Sequence, residues 1–431
     1  MSSILTNNGA MVALQTLKSI NSDMATTQSQ ISTGKNVASA KDNSAVWAIS
    51  KVMEADVKGF KGISDSLNLG QSTVTVARQA SETVTELLTD IKGKIVAAQE
   101  ENVDRDKIQT DIDALRDQIG AVVGAAQFNG LNLLSNQEST AGSDTVNVLA
   151  SLDRSGTGVA ASDITVTKQD LGTNAAVITG AAQATGGAEM SGSAAGATQA
   201  VAGAATANTT DFTIAPAGVA AGVGYSISLS AGAGDFAGSN TTSATGRPSE
   251  IMYVARVGDT AQDVFDGLND ALNTHLAGNG QDSDDLSMSF NTSNGTVTVT
   301  GSTTVGNDVT VRADTYAAAG NTIGGGLGEI SQIDVTTQEG VDSALTAVEG
   351  LIQTSIDAAA SFGSVQGRIE TQSEFISGLT DALKSGISTL VDADMEETSA
   401  KLQALQVQQQ LGVQALSIAN QAPQQLLSLF R

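Results

Sequence analysis

Apolar side chains recur at helical spacing over residues 1–140 and again over 331–431, whereas the stretch between them alternates in short runs. Near the start, Ala10, Leu14, Leu17, Asn21, Met24, Gln28 and Ile31 follow a 4-3-4-3 rhythm. That narrow seam predicts a helix lying against another helix, ended at "STGKN" (32–36), where Gly34 suits a C-cap. A second helix is predicted from about Asp42 to Gln99, striped by Val46, Ile49, Met53, Val57, Phe60, Ile63, Leu67, Val74, Val84, Leu88, Ile91 and Ile95. Roughly 58 residues at ~1.5 Å each span about 87 Å, so this helix needs partners of similar length. A third, over 104–123, carries Ile108, Ile112, Leu115, Ile119 and Val122. "QFNGLNLL" (127–134) then reads as a hairpin turning on Asn129-Gly130.

The other end mirrors this pattern. Leu345, Val348, Ile352, Ile356, Ala359, Phe362, Ile369, Ile376, Leu379, Leu383, Ile387 and Leu390 mark a long helix. A further helix follows Asp392 and Asp394, whose charges suit a helix N-terminus, and its stripe is Met395, Leu402, Leu405, Val407, Leu411, Leu416 and Ile418. Pro423 is expected to loosen or end it. Matched helical ends around an unlike middle predict a mainly α protein with a β-rich insert. Its long antiparallel helical rod is formed by both chain ends, as a coiled-coil terminal domain plus a helical bundle with a β-hairpin. An α/β or β-rich outer domain is inserted, and the termini lie together. The predicted divisions are 1–41 with 392–431, 42–140 with 331–391, and an insert over 141–330, in one or two subdomains.

Within the insert, "SDITVTKQD" (162–170), "YSISLS" (225–230) and "GTVTVTG" (295–301) alternate as half-buried strands do. "TAQDVFDGLNDALNTHL" (260–276) reads as an amphipathic helix with Val264, Leu268 and Leu272 inward. The tract 178–210, almost all Gly, Ala, Ser and Thr, is expected to be an exposed loop.

Composition narrows the function. Aromatic residues make up 3% of the 431, so the core must be built of Ala, Val, Leu and Ile. A formal charge of −25 argues against nucleic acid and against an anionic membrane surface. With no cysteine, disulfides and thiolate chemistry are excluded. No apolar run approaches the ~18 residues of a membrane span, and "MSSILTNNGAMVALQTLKSIN" lacks the layout of a cleaved signal peptide.

Catalytic chemistry is not found either. His275 is the single histidine and is expected to be an ordinary surface side chain. "GNGQDSDDLS" (278–287) looks like a Ca²⁺ loop but lacks the 12-residue spacing and closing Glu. "GGGLG" (324–328) lacks the Lys and strand–turn–helix context of a phosphate cradle and is expected to hinge the insert. "NTT" at 208 and 240 and "NTS" at 291 match the glycosylation sequon, a weak pattern. No enzyme, cofactor or metal site is expected.

The last six residues hold Leu426, Leu427, Leu429 and Phe430. Burying four such side chains is worth about 6–12 kcal/mol before entropy is subtracted. Narrow seams with polar Asn21, Gln28 and Gln409 make no independent core, so a partner is expected to cover this tail.

Three stretches resemble bacterial flagellin. They are "SILTNNGAMVALQTLKSINSDMATTQSQISTGKNVASAKDNSAVWAIS" with its "SAKDNSA" box at 39–45, "QFNG" at 127–130, and "QQQLGVQALSIANQAPQQLLSLFR" at 408–431. The resemblance covers both helical ends and none of the middle. It implies an extracellular, self-assembling subunit of the flagellar filament, exported through the flagellar type III apparatus. A hook–filament junction adaptor is the alternative, less favoured by "LSLFR". It further implies a homopolymer in contact with hook-associated and cap proteins, an export chaperone, and no cofactor. The polymerisation interface would include Ile4, Leu5, Leu14, Leu17, Met24, Ile31, Leu402, Leu405, Leu411, Leu416, Leu426, Leu427, Leu429 and Phe430. One stretch departs from the family. "TDIKGKIVA" (89–97) stands where many flagellins carry the segment recognised by the vertebrate innate receptor. Asp90 replaces an Arg, Gly93 a Glu and Lys94 a Leu, so weak receptor binding is expected.

Overall fold

The computed structural model describes residues 7–155, 158–182, 190–192, 195, 198–204, 206–214, 219–230, 232–237, 241, 250–281 and 283–429, and side chains over these except 153–155, 158–159 and 422–429. Contacts divide it into two compact units, 1–65 with 151–160 and 373–431, and 66–150 with 161–372. Six α-helices are described: α1 Asn8–Thr33, α2 Ser44–Ala98, α3 Arg105–Ala125, α4 Ala261–Gly278, α5 Gln338–Val391 and α6 Met395–Leu429. The fold class is that expected, mainly helical ends around a β-rich middle.

In the first unit α1 and α6 pair along their length. Asn7 caps α1 by accepting from the Ala10 N–H at 3.0 Å, and its Nδ2 donates to the Ala419 carbonyl at 2.8 Å. Gln409 Nε2 donates to Asn21 Oδ1 at 2.8 Å. Residues near the start of α1 thus meet residues far along α6, so the pair is antiparallel. Gly34, at φ 69°, closes α1 in the left-handed region that favours glycine. The turn beyond it is tied to the α5–α6 junction, with Asn36 N donating to Val391 O at 2.7 Å and Ala393 N to Gly34 O at 3.0 Å. Asp394 starts α6 by accepting from the N–H groups of Glu396 and Glu397. The helix continues through Pro423 to Leu429, against the expectation of a break. One proline removes one ladder hydrogen bond, and α6 absorbs that loss.

In the second unit α2 runs antiparallel to α5. Successive polar pairs record the register: Gln71 with Glu370, Arg78 with Gln366, Thr85 with Ser355, and Lys92 with Glu349 at 2.5 Å. Between these rungs Leu67, Val74, Val84, Leu88, Ile91 and Ile95 are buried, as are Val348, Phe362 and Ile369 on α5 and Ile112 and Ile119 on α3. The hairpin β1 Gln127–Phe128 and β2 Leu131–Asn132 turns on Asn129 and Gly130 at φ 52° and 80°, the two left-handed residues of a type I′ turn.

The remaining strands are β3 Thr145–Ser155, β4 Gly158–Thr167, β5 Met190–Gly192, β6 Gln199–Val201, β7 Thr209–Ile214, β8 Gly224–Ser230, β9 Met252–Val254, β10 Leu286–Asn291, β11 Thr296–Gly301 and β12 Val309–Tyr316. β3 pairs with β4, and two antiparallel sheets run β10-β11-β7-β5 and β6-β12-β8-β9. Their core holds Phe212, Tyr225, Ile227, Leu229 and Phe236 with Val264, Leu268 and Leu272 of α4. Phe265 and Phe290 stack with centroids 5.2 Å apart. A capping box of Thr260 and Asp263 starts α4.

Three expectations change here. The 178–210 tract is not all exposed loop. Its described part supplies β5, β6 and the start of β7, and Met190, Ala195 and Val201 are buried, because small residues admit close packing. His275 is not a surface side chain, since it is 8% exposed with Nδ1 2.5 Å from Glu250. That hydrogen bond holds the Glu250 carboxyl below its ordinary range. The glycines of "GGGLG" fit close backbone packing. A Cβ on Gly325 would lie 2.0 Å from the Gly172 carbonyl oxygen, and one on Gly326 2.0 Å from that of Asp170.

Candidate assembly surface

The α1–α6 seam is built from one face of each helix. On α1 the seam positions, half-buried or buried, are Ala10, Ala13, Leu17, Ile20, Met24, Thr27 and Ile31, with Gln30 half-buried beside them. On α6 they are Thr398, Leu402, Leu405, Gln409, Gly412, Leu416 and Ala419. Both series alternate steps of three and four, the rhythm of a helix pair. The expected α1 seam shares Ala10, Leu17, Met24 and Ile31, but its Leu14, Asn21 and Gln28 are exposed. Their places fall to Ala13, Ile20 and Thr27, one residue earlier. The reason is visible at Gly412, where an added Cβ would meet Leu17 Cδ1 at 3.2 Å and Ile20 Cδ1 at 3.9 Å. The helices approach closely there, and the apolar Ile20 takes the inner place expected of the polar Asn21.

What the seam leaves outside is apolar. Val407, Leu411 and Ile418 are 55, 58 and 69% exposed. At 100° per residue they share one face of α6, opposite the seam. Met11, Val12 and Leu14 are likewise open on α1, as are Met395 and Val413 on α6. Scattered exposed apolar residues are ordinary, but a contiguous stripe marks an interaction surface. Of the residues expected at the polymer interface, Leu17, Met24, Ile31, Leu402, Leu405 and Leu416 lie on the intrachain seam, while Leu14 and Leu411 are open. Ile4, Leu5 and Phe430, and the side chains of Leu426, Leu427 and Leu429, lie outside the described residues. Met11, Val12 and Val413 did not enter the sequence reading. Their signal was available as apolar residues falling off the seam rhythm.

In the departing stretch 89–97, Asp90 and Gly93 are exposed, and Lys94 pairs with Asp111 at 2.5 Å. No group of three acidic or imidazole side chains that could hold a metal occurs among the described residues. No described helix is long and apolar enough to cross a membrane.

A helix pair with apolar side chains open on its outer faces presents the surface of a structural protein that packs against a partner. Residues 4–139 match the bacterial flagellin N-terminal helical region and 341–430 the bacterial flagellin C-terminal helical region. The chain is 36% identical to Flagellin A of Rhizobium meliloti over 435 residues, covering 100% of each. It is 39% identical to Flagellin FljK of Caulobacter vibrioides over 185 residues, 42% of this chain and 66% of that protein. Among solved structures, FliC from Burkholderia pseudomallei aligns over 69% of this chain and 99% of its own, at 13% identity and a TM-score of 0.30. The chain belongs to the bacterial flagellin family. It is a structural protein, a subunit of the flagellar filament that serves motility, and not an enzyme.

Proposed function

We propose that the chain enters the filament through the outward faces of its terminal helices. Residues 1–41 with 392–431 form the coiled-coil terminal domain lining the filament core, 42–140 with 331–391 the helical rod, and 141–330 the surface-exposed insert. The set of Val407, Leu411 and Ile418 carries this reading, because it is apolar, exposed and turned away from the chain's own seam. Leu14, Met11 and Val12 extend the contact on α1. Ile4, Leu5, Leu426, Leu427, Leu429 and Phe430 complete it, buried against neighbouring subunits. Leu17, Met24, Ile31, Leu402, Leu405 and Leu416 act indirectly, holding α1 on α6 so that both stripes face outward. Repetition of such a heterologous contact gives an open helical polymer.

Family membership supports the remaining assignments. The subunit is exported by the flagellar type III route with a chaperone, and its filament meets hook-associated and cap proteins outside the cell. The hook-junction alternative is the weaker one, since full-length similarity runs to named flagellins. Asp90, Gly93 and Lys94 place two charges and a glycine in the stretch that differs from receptor-activating flagellins. The monomer should therefore activate a receptor reporter weakly, and strong activation would count against that assignment.

The test of assembly is sedimentation of purified monomer with and without short filament seeds, beside chains lacking 1–41 or 416–431. Seeded growth confined to the intact chain is the expected result. An intact chain that stays monomeric, with ends already protected from protease, would leave the adaptor role.

A further inference from the structure

A cavity of about 450 Å³ in the second unit is walled by α4, by Thr346–Thr354 of α5 and by the segments around 168–176 and 324–332. Its lining carries seven carboxyl groups and only two cations, Lys168 and Arg256. Arg256 is committed. Its Nε donates to Asp170 at 3.2 Å, and its terminal nitrogens donate to Tyr253 Oη and the Gly324 carbonyl, each at 3.0 Å. Asp259 accepts from Tyr253 and from the Arg256 N–H, Asp263 caps α4, and Glu250 faces His275.

Asp266, Asp270 and Glu329 have no such cation. Asp266 accepts from the neutral Gln262 at 2.7 Å. Asp266 and Asp270 remain exposed and Glu329 is half-buried. Partial loss of water raises all three carboxyls above their ordinary range, and each has a carboxyl neighbour that adds to the rise: Asp263 for Asp266, Asp266 for Asp270, and Asp270 for Glu329. Across the cavity α5 offers Thr346, Gly350 and Thr354, all neutral. A second, independent feature points the same way. Asn136 lines this cavity at 8% exposure, and its Oδ1 accepts no hydrogen bond. A buried amide carbonyl of that kind calls for a donor.

The arrangement selects the ligand's shape. Asp263, Asp266 and Asp270 recur at three and four residues along one face of α4 and so extend over about 10 Å. No three acidic groups among the described residues converge as a metal site does. A single cation cannot meet both Asp263 and Asp270, about 10 Å apart along α4, whereas a chain of ammonium groups can. We propose that this cavity binds a linear polyamine, its ammonium groups donating to Asp266, Asp270, Glu329 and the Asn136 carbonyl.

The test is calorimetric titration of the full-length monomer with spermidine, with CaCl₂ as the second probe. Saturable 1:1 binding is expected, weakened at least tenfold in Asp270→Asn and in Glu329→Gln. It should be unchanged in the Asp106→Asn, Asp117→Asn double variant, which loses comparable charge from α3. Affinity should rise about tenfold from pH 6 to 8, because Glu329, with its carboxyl pushed up to about 7, must release its proton to take an ammonium. Equal weakening in the α3 variant would reduce the effect to diffuse attraction by a −25 chain and overturn the proposal. Tighter binding of calcium at the same carboxylates, or no saturation by spermidine at millimolar concentration, would overturn it as well.

Discussion

Replacing Val407, Leu411 and Ile418 together by Gln separates assembly from folding. Full burial of such side chains is worth 1.5–3 kcal/mol each, and the monomer leaves 55, 58 and 69% of these residues exposed. If the filament covers them, it gains about 1–2 kcal/mol at each position, or about 3–5 kcal/mol for the three. A factor of ten per 1.4 kcal/mol then raises the critical concentration for seeded growth at least about a hundredfold. The monomer should barely notice, since Gln matches Leu in helix propensity and exceeds Val and Ile, and no seam contact is touched. Sedimentation across a concentration series gives the critical concentration, and circular dichroism on heating gives monomer stability. Wild-type polymerisation by the triple variant would refute an assembly role for this stripe. A fall in monomer stability as large as the fall in assembly would mean that the stripe packs within its own chain. Leu405→Ala is the contrasting case. At 7% exposure on the seam, its loss should loosen α1 from α6 in the monomer before any filament forms.

Glu329→Gln should stabilise the second unit at alkaline pH. The folded carboxyl sits at about 7 against an ordinary 4.5, through burial first and Asp270 second. The unfolded chain therefore releases its proton first, and wild-type stability falls as pH rises from about 4.5 to 7. The Gln variant should gain about 3 kcal/mol at pH 8 and nothing below pH 4, and a gain equal at both pH values would sink this reading. Gly93→Ala should add about 1 kcal/mol, since Gly93 is inside α2 with open space where a Cβ would stand. A lower unfolding midpoint would show that the glycine is needed. Gly325→Ala should cost at least about 1–3 kcal/mol, because its methyl would fall 2.0 Å from the Gly172 carbonyl oxygen. Unchanged thermal unfolding of that variant would mean the two segments are not packed so closely.

The helices, their ends and the hairpin were legible because their signals are local. Gly34, Asp394 and Asn129-Gly130 each specify a backbone conformation without help from distant residues. The insert helix was equally clear, its Val264, Leu268 and Leu272 spaced for one face. What could not be read was whatever depended on a distant partner. "GGGLG" acquires its meaning only beside 170–176, and His275 only beside Glu250. The acidic cavity joins α4 to Glu329 and Asn136, which no spacing rule connects. The two strands drawn from the Ala/Gly tract were hidden because small residues carry almost no periodic signal, yet pack wherever a sheet edge accepts them.

The one-residue error in the α1 seam bears directly on function. Choosing large apolar residues put Leu14 on the inner face. The chain instead turns inward Ala13, Ile20 and Thr27. The seam combines such small residues as Ala13 and Thr27 with Leu17, Ile20, Met24, Leu402, Leu405 and Leu416, and helices of this length gain most of their stability from packing. A further apolar set, Val407, Leu411 and Ile418, faces away. A terminal pair built this way closes on itself along one face and keeps a second apolar face for the next subunit. That suits a protein whose ends must find stability in the filament. Moving Leu from the outer to the inner face, as in Ala13→Leu with Leu14→Ala, should accordingly strengthen the monomer's terminal pair while weakening assembly. Hydrogen exchange over α1 in the monomer would read the first effect and seeded sedimentation the second, and a variant that gained in both would refute the division of labour between the two faces.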